Sequence, residues 1–308
     1  MKAPLTGIIP PMVTPLLGRD ELDVAGLERL VARLLEGGVH GLFILGTTGE
    51  GPSLSYRLRR ELIGQVCNQV KRRVPVLVGI TDTAFVESVN LARHAANCGA
   101  DAAVAAPPYY MPEGQPELQE WLDHLVPDLP LPLFLYNMPP LTKVSYELET
   151  VRHALDHPRI LGLKDSSRDM NYFKNIVAFL KQRPDWTVLI GPEEKLLEAL
   201  QLGGHGGVNG GANLFPKLYT RLCEAFQFGD LARARSLQNQ AGRVGDSLYR
   251  IGKHPSAVIK GIKCALACLG ICDDFMAEPF HRFRTEERER VRTRLKEIEA
   301  ELSELNLR

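Results

Sequence analysis

Apolar positions in this chain follow two alternating patterns, short continuous runs and helical faces. After the extended opening TGIIPPMVTP, residues 24–36 place Val24, Leu27, Leu30, Val31, Leu34 and Leu35 at helical spacing, closed by Gly37-Gly38. The apolar run GLFIL follows and ends at Gly46. From there the spacing predicts helix 55–72, strand 75–80, helix 85–98, strand 101–106, helix 116–126 and strand 132–137. Helix 146–155, strand 160–164, helix 169–182, strand 187–191, helix 193–202, strand 206–210 and helix 216–227 complete the series. With the opening segment as the first, eight apolar strands are each followed by a helix.

Strands this continuously apolar are buried on both faces, as in a parallel sheet. Eight such units fit an α/β fold of the (β/α)8 TIM-barrel type better than an open sheet. The open-sheet alternative also lacks the GxGxxG turn of a dinucleotide site, because the glycines at 203–211 come late and at the wrong spacing. Residues 1–227 therefore read as the barrel domain and 228–308 as a C-terminal helical extension, with helices over 230–250, 255–270 and from 285. In the last helix Val291, Leu295, Ile298, Leu302 and Leu305 form a narrow apolar seam, which must pack on this barrel or on another subunit.

Composition narrows the function classes. Lys plus Arg and Asp plus Glu both count 37 in 308 residues, so no basic excess is available to neutralise nucleic-acid phosphates. No apolar run approaches the roughly 20 residues of a membrane span, and the proline-rich start does not resemble a signal peptide. A cytoplasmic protein is expected. The six cysteines contain no CxxC pair; Cys264, Cys268 and Cys272 fall at helical spacing and read as small buried hydrophobes. His153 and His157 stand at i, i+4 like a zinc pair, but without HExxH they read as a solvated helix end.

In a (β/α)8 barrel the chemistry sits where the strands end. Those positions hold Gly46-Thr47-Thr48-Gly49-Glu50, Pro107-Pro108-Tyr109-Tyr110, Tyr136-Asn137-Met138-Pro139, Lys164-Asp165-Ser166 and Gly191-Pro192-Glu193-Glu194. Lys164 closes the apolar run ILGLK, where desolvation lowers its pKa from roughly 10.4 and frees the amine as a nucleophile. An amine beside phenols suits a Schiff base with a carbonyl substrate. The turn at 46–49 can aim backbone N–H groups at a carboxylate, so a 2-oxo acid satisfies both features.

GTTGE at 46–50, PYY at 108–110, YNxP at 136–139, GLKD at 162–165 and GGHGG at 203–207 resemble the dihydrodipicolinate synthase and N-acetylneuraminate lyase superfamily, the pyruvate-type class I aldolases. The resemblance implies that Lys164 forms the imine and Tyr136 shuttles protons. It also implies that Thr47, together with Tyr110 from a neighbouring subunit, completes a relay. Thr47 and Thr48 would hold the carboxylate, the Val208 carbonyl would face the iminium, and His205 would have a structural role. Pyruvate and an aldehyde are the implied partners, with no metal or other cofactor, in a homotetramer or homodimer.

Substrate choice divides the superfamily. Synthases of the lysine pathway carry an arginine in the turn after YNxP, where this chain has Leu141, so the semialdehyde carboxylate would lose its clamp. Leu141, Ser166, and the pair Glu193 and Glu194 after Gly191 are similar to the sialic acid lyases and could bind the polyol of a 2-keto-3-deoxy sugar acid. Gly210, where the lyases have a tail-binding serine, departs from them. The glutamates also suit the first turn of a helix. The expectation is thus a Schiff-base aldolase for such a sugar acid. The alternatives are a dihydrodipicolinate synthase, a dehydratase on the same iminium chemistry, and a non-catalytic 2-oxo acid sensor.

Overall fold

In the computed structural model, which describes residues 4–307, eight parallel strands form one sheet. They are β1 (Gly7–Ile8), β2 (Leu42–Ile44), β3 (Val76–Gly79), β4 (Ala102–Ala105), β5 (Leu133–Asn137), β6 (Ile160–Asp165), β7 (Thr187–Ile190) and β8 (Gly206–Gly207). β8 pairs with both β7 and β1. On the other side of β1, Ile8 O accepts from His40 N at 2.8 Å, Pro10 O from Phe43 N at 3.0 Å, and Phe43 O from Met12 N at 2.8 Å. These bonds return the sheet to its first strand and close the barrel, which leaves no open edge. A two-stranded antiparallel ribbon, Leu16–Gly18 with Glu21–Leu22, follows β1.

The predicted alternation is present, and local chemistry explains its boundaries. Helix Val24–Glu36 starts where the Asp23 carboxylate accepts from Gly26 N at 2.8 Å, and it buries Leu27, Leu30, Val31 and Leu34 on one face. It stops at Gly37-Gly38, where Gly38 takes φ +75°. The eighth strand is shorter than the predicted 206–210, because Gly210–Asn213 turns into a short 3₁₀ helix.

Beyond helix Pro216–Gln227, the helices Leu231–Leu248, Ala257–Cys268 and Thr285–Glu304 share one hydrophobic core with the outer face of the barrel. The seam of the last helix packs within this chain: Val291, Leu295, Ile298 and Leu302 are buried. Leu305 departs from the expectation and is exposed, because the helix ends at Glu304 and Leu307 takes the buried place instead. Cys264 and Cys272 are buried and Cys268 half-buried, with Cys272 lying past the end of its helix; none of the six cysteines forms a disulfide. Among the described residues no helix is long and apolar enough to cross a membrane.

Candidate active site

The barrel interior is packed with the apolar side chains of Ile9, Phe43, Leu77, Phe134, Leu189 and Val208, each 4 % exposed or less. Tyr136 on β5 and Lys164 on β6 are partners in register, so their side chains leave the sheet on the same face. The Lys164 amine stands 3.9 Å from the centre of the Tyr136 ring and 5.0 Å from that of Phe43, whose ring meets Tyr136 edge-on. Burial pushes the ammonium below the ordinary lysine value, and Tyr136 and Asp165 restore only part of the shift. Aromatic faces attract a cation, yet burial among apolar side chains disfavours its charge more, which makes the amine available for attack.

The Tyr136 hydroxyl lies 3.1 Å from Thr47 Oγ1, which ties the phenol to the turn after β2. In that turn Gly46, Gly49 and Glu50 are buried, and only Thr47 and Thr48 are partly open to solvent. Close packing requires the glycines: a Cβ on Gly46 would lie 2.5 Å from the Phe43 ring, and one on Gly49 would lie 2.9 Å from the Met12 carbonyl. Thr14 Oγ1, in the segment that follows β1, donates to Gly49 O at 2.7 Å and fixes the turn. Lys164, Tyr136 and the two threonines therefore share one rim of the barrel.

Two motif residues to which the sequence assigns no role, Asn137 and Asp165, support them from behind. Successive side chains of a strand point to opposite faces, so Asn137 and Asp165 turn outward, toward the helices, as Tyr136 and Lys164 turn inward. Asp165 is fully buried and accepts from Asn137 Nδ2 at 2.9 Å, Ser167 N at 3.1 Å and Ser167 Oγ at 2.9 Å. Burial raises its pKa, and the same hydrogen bonds work against that rise. A polar residue directly after each catalytic candidate, inside an apolar strand, was the available signal.

The expected tail contacts separate. Ser166 is half-buried beside Gly191, where an added Cβ would lie 2.0 Å from Ser166 Oγ. Leu141 is 51 % exposed in the short helix Pro139–Thr142. Glu194 is exposed and pairs with Arg168 at 2.9 Å, joining the loops after β6 and β7. Glu193 does not accompany it. Its side chain is buried, its Oε2 accepts from Gly211 N at 2.8 Å, and its carbonyl accepts from Gln238 Nε2 at 2.9 Å. Burial pushes its carboxyl up to about 7, opposed by the Gly211 N–H and the nearby phenols of Tyr249 and Tyr219. In the 3₁₀ turn Glu193–Lys195 consecutive residues diverge by about a third of a revolution, so the two carboxylates point apart. Glu193, expected among the substrate contacts, joins the β7 loop to the β8 loop and to helix Leu231–Leu248.

Val208 is buried in the barrel interior, with its N–H bonded to Ile190 O at 2.8 Å. Tyr110 is 90 % exposed at φ +93° and, among the described residues, makes no hydrogen bond. Within one chain it joins none of the other candidates. His205 lies where the strands begin, its Nδ1 accepting from Val188 N at 3.1 Å. His153 and His157 share Asp123 and lie outside the rim.

The profile of the Dihydrodipicolinate synthetase family matches residues 4–298. The solved dihydrodipicolinate synthase of Bacteroides thetaiotaomicron superposes with a TM-score of 0.94 at 52 % identity, over 96 % of this chain and 100 % of that one. YagE of Escherichia coli K12, solved in complex with pyruvate, superposes with a TM-score of 0.91 at 29 % identity, over 96 % and 99 %. A probable 2-dehydro-3-deoxy-D-pentonate aldolase of the same strain, YjhH, is 32 % identical over 86 % of this chain and 88 % of its own. The chain belongs to the Dihydrodipicolinate synthetase family and is a class I, pyruvate-type aldolase or lyase.

Proposed function

We propose that this family member cleaves a 2-keto-3-deoxy sugar acid to pyruvate and an aldehyde through an imine on Lys164. The observation that carries the proposal is the buried Lys164 amine held over the Tyr136 ring, whose hydroxyl is 3.1 Å from Thr47. The neutral amine adds to the C2 carbonyl, and loss of water leaves the iminium. Tyr136 takes the proton of the C4 hydroxyl, the C3–C4 bond breaks, and its electron pair flows into the iminium to give an enamine. The aldehyde leaves, the enamine carbon is reprotonated, and water releases pyruvate and the free lysine.

Thr47 and Thr48 hold the carboxylate, the Val208 carbonyl faces the iminium, and Thr47 passes the Tyr136 proton to Tyr110 of the partner subunit. Such a relay needs at least a homodimer, and a homotetramer contains that dimer. A mobile proton and a buried amine suffice, so the reaction needs no metal. For the tail, Leu141 offers no cation to a second carboxylate, while Ser166 and Glu194 offer hydrogen bonds to hydroxyls.

A second reading has its own support. The 52 % identity to the Bacteroides thetaiotaomicron synthase favours condensation of pyruvate with aspartate semialdehyde, and Arg168 is a cation at the rim on which that reading can draw. Pyruvate with borohydride should mark Lys164 permanently by mass spectrometry and leave Lys164→Ala unmarked; an unmarked wild type would end both readings. A panel of polyhydroxy aldehydes set against aspartate semialdehyde, each with pyruvate, then separates them by turnover.

A further inference from the structure

We propose that Asp123, His153 and His157 form a divalent-metal site that clips two outer helices of the barrel together and takes a borderline ion such as Zn(II), Ni(II), Co(II) or Cu(II). His153 lies in the last turn of helix Leu148–Leu155, His157 lies just past its end, and Asp123 stands on the neighbouring helix Gln115–Asp128. Both Nε2 atoms lie 2.8 Å from the same carboxylate oxygen, Asp123 Oδ1. The three donor atoms all fall within 4.8 Å of one another, and the rings meet edge-on with centroids 5.5 Å apart. A tetrahedral ion with bonds of about 2.1 Å separates its ligands by roughly 3.4 Å, so small side-chain rotations convert the cluster into a coordination set.

Two imidazoles and one carboxylate are the donors that borderline divalent ions prefer over Mg(II) or Ca(II), which take oxygen. The side chains keep 33 %, 22 % and 45 % of their surface open, for His153, His157 and Asp123 in turn, which gives the ion a path of entry and leaves a position for water.

The scaffold is set without the ion. Gln115 Oε1 accepts from Thr150 Oγ1 at 2.6 Å and from Glu147 N at 3.1 Å, tying the helices at one end. Arg159 donates to Val126 O at 3.2 Å and Leu129 O at 2.6 Å at the other. Ligands held in advance lose little freedom on binding. The site also stands apart from the imine chemistry. His157 precedes β6, and the four residue steps from Ile160 to Lys164 span roughly 13 Å of extended chain.

The test uses the tag-free full chain. Titrating Zn(II) at mildly alkaline pH should give one ion per chain and raise the thermal midpoint. The Cu(II)-loaded protein should show an electron paramagnetic resonance spectrum with two imidazole nitrogens. Losing a ligand costs at least the roughly tenfold to hundredfold of affinity that losing an outer-sphere partner does, so His153→Ala/His157→Ala and Asp123→Asn should each weaken Zn(II) accordingly. Imine formation at Lys164 should be unchanged in these variants. Zn(II) affinity equal in wild type and variants overturns the proposal. So does a wild-type Cu(II) spectrum without two nitrogens, a readout that needs no variant to fold.

Discussion

Lys263 Nζ lies 2.7 Å from Glu50 Oε1, and the two side chains are 0 % and 1 % exposed. The other Glu50 oxygen accepts from Ala277 N at 2.8 Å. Glu50 ends the turn that carries Thr47 and Thr48, with its backbone in the left-handed region at φ +55°. Lys263 belongs to helix Ala257–Cys268. The C-terminal helices thus hold, through one buried ion pair, the turn assigned to the substrate carboxylate.

Removing one member of such a pair leaves an unpartnered charge in the interior, at a cost of about 3–5 kcal/mol. Lys263→Met should lose stability on that scale in urea unfolding, and Lys263→Met/Glu50→Gln should recover part of it because no bare charge remains. In whichever variant stays folded, KM for pyruvate should rise more than kcat falls, since the role proposed for the turn is to bind the carboxylate and not to form the imine. Steady-state kinetics below the unfolding transition separates the two effects.

Burial activates Lys164, so the pH dependence of imine formation has a fixed sign. Only the neutral amine attacks, and its fraction grows as pH rises through the depressed pKa and levels off above it. The rate of borohydride-trapped adduct with pyruvate should therefore rise to a plateau with a midpoint below the ordinary lysine value of 10.5. Tyr136→Phe keeps the ring under the amine and removes the hydroxyl bonded to Thr47. Adduct should still form, while kcat for cleavage drops by about 10²–10⁴, the usual worth of a positioned acid–base group.

At the end of the barrel where strands begin, two histidines accept backbone hydrogen bonds. His40 Nδ1 takes the Ile8 N–H and His205 Nδ1 the Val188 N–H, each at 3.1 Å. Burial lowers both below 6.5 in the folded protein. Their contribution to stability is fully present above the unfolded-state value of roughly 6.5 and is lost as pH falls from there through the lower folded-state values. Urea midpoints should decline as pH is lowered across that window. Asparagine retains an acceptor but cannot charge there, so His40→Asn/His205→Asn should show a shallower decline.

The parts of this design that repeat along the chain are the parts a sequence displays. Apolar strand runs and helical faces predict the barrel, because burying a parallel sheet on both sides demands them, and Lys164 then stands out as a charge at the end of such a run. Contacts between distant residues leave no comparable trace. Nothing local marks Glu50 and Lys263 as partners, and the motif that contains Glu50 directs attention to the threonines beside it. Glu193 and Glu194 mislead in another way: adjacency suggests a shared ligand, whereas the tight turn sends one carboxylate inward to Gly211 and the other outward to Arg168. For His153 and His157 the helical spacing is visible, but the aspartate between them comes from a helix some thirty residues earlier.

Leu141 offers the most direct handle on the substrate. Its side chain is 51 % exposed on the short helix after β5, so a longer side chain can extend into solvent without displacing the core. A guanidinium there could grip a second carboxylate in bidentate fashion, as leucine cannot. Leu141→Arg should raise kcat/KM for aspartate semialdehyde, with an upper scale of about 1.5–3 kcal/mol for a hydrogen bond to a charged group, or roughly ten- to a hundredfold. It should leave kcat/KM for a neutral polyhydroxy aldehyde without a comparable gain, since that acceptor offers no charge to the guanidinium. Parallel assays of wild type and variant on both acceptors read the ratio directly. A wild type that already favours the semialdehyde, with no gain in the variant, would assign the carboxylate to another group at the rim, and Arg168→Ala would then be the change that abolishes the preference.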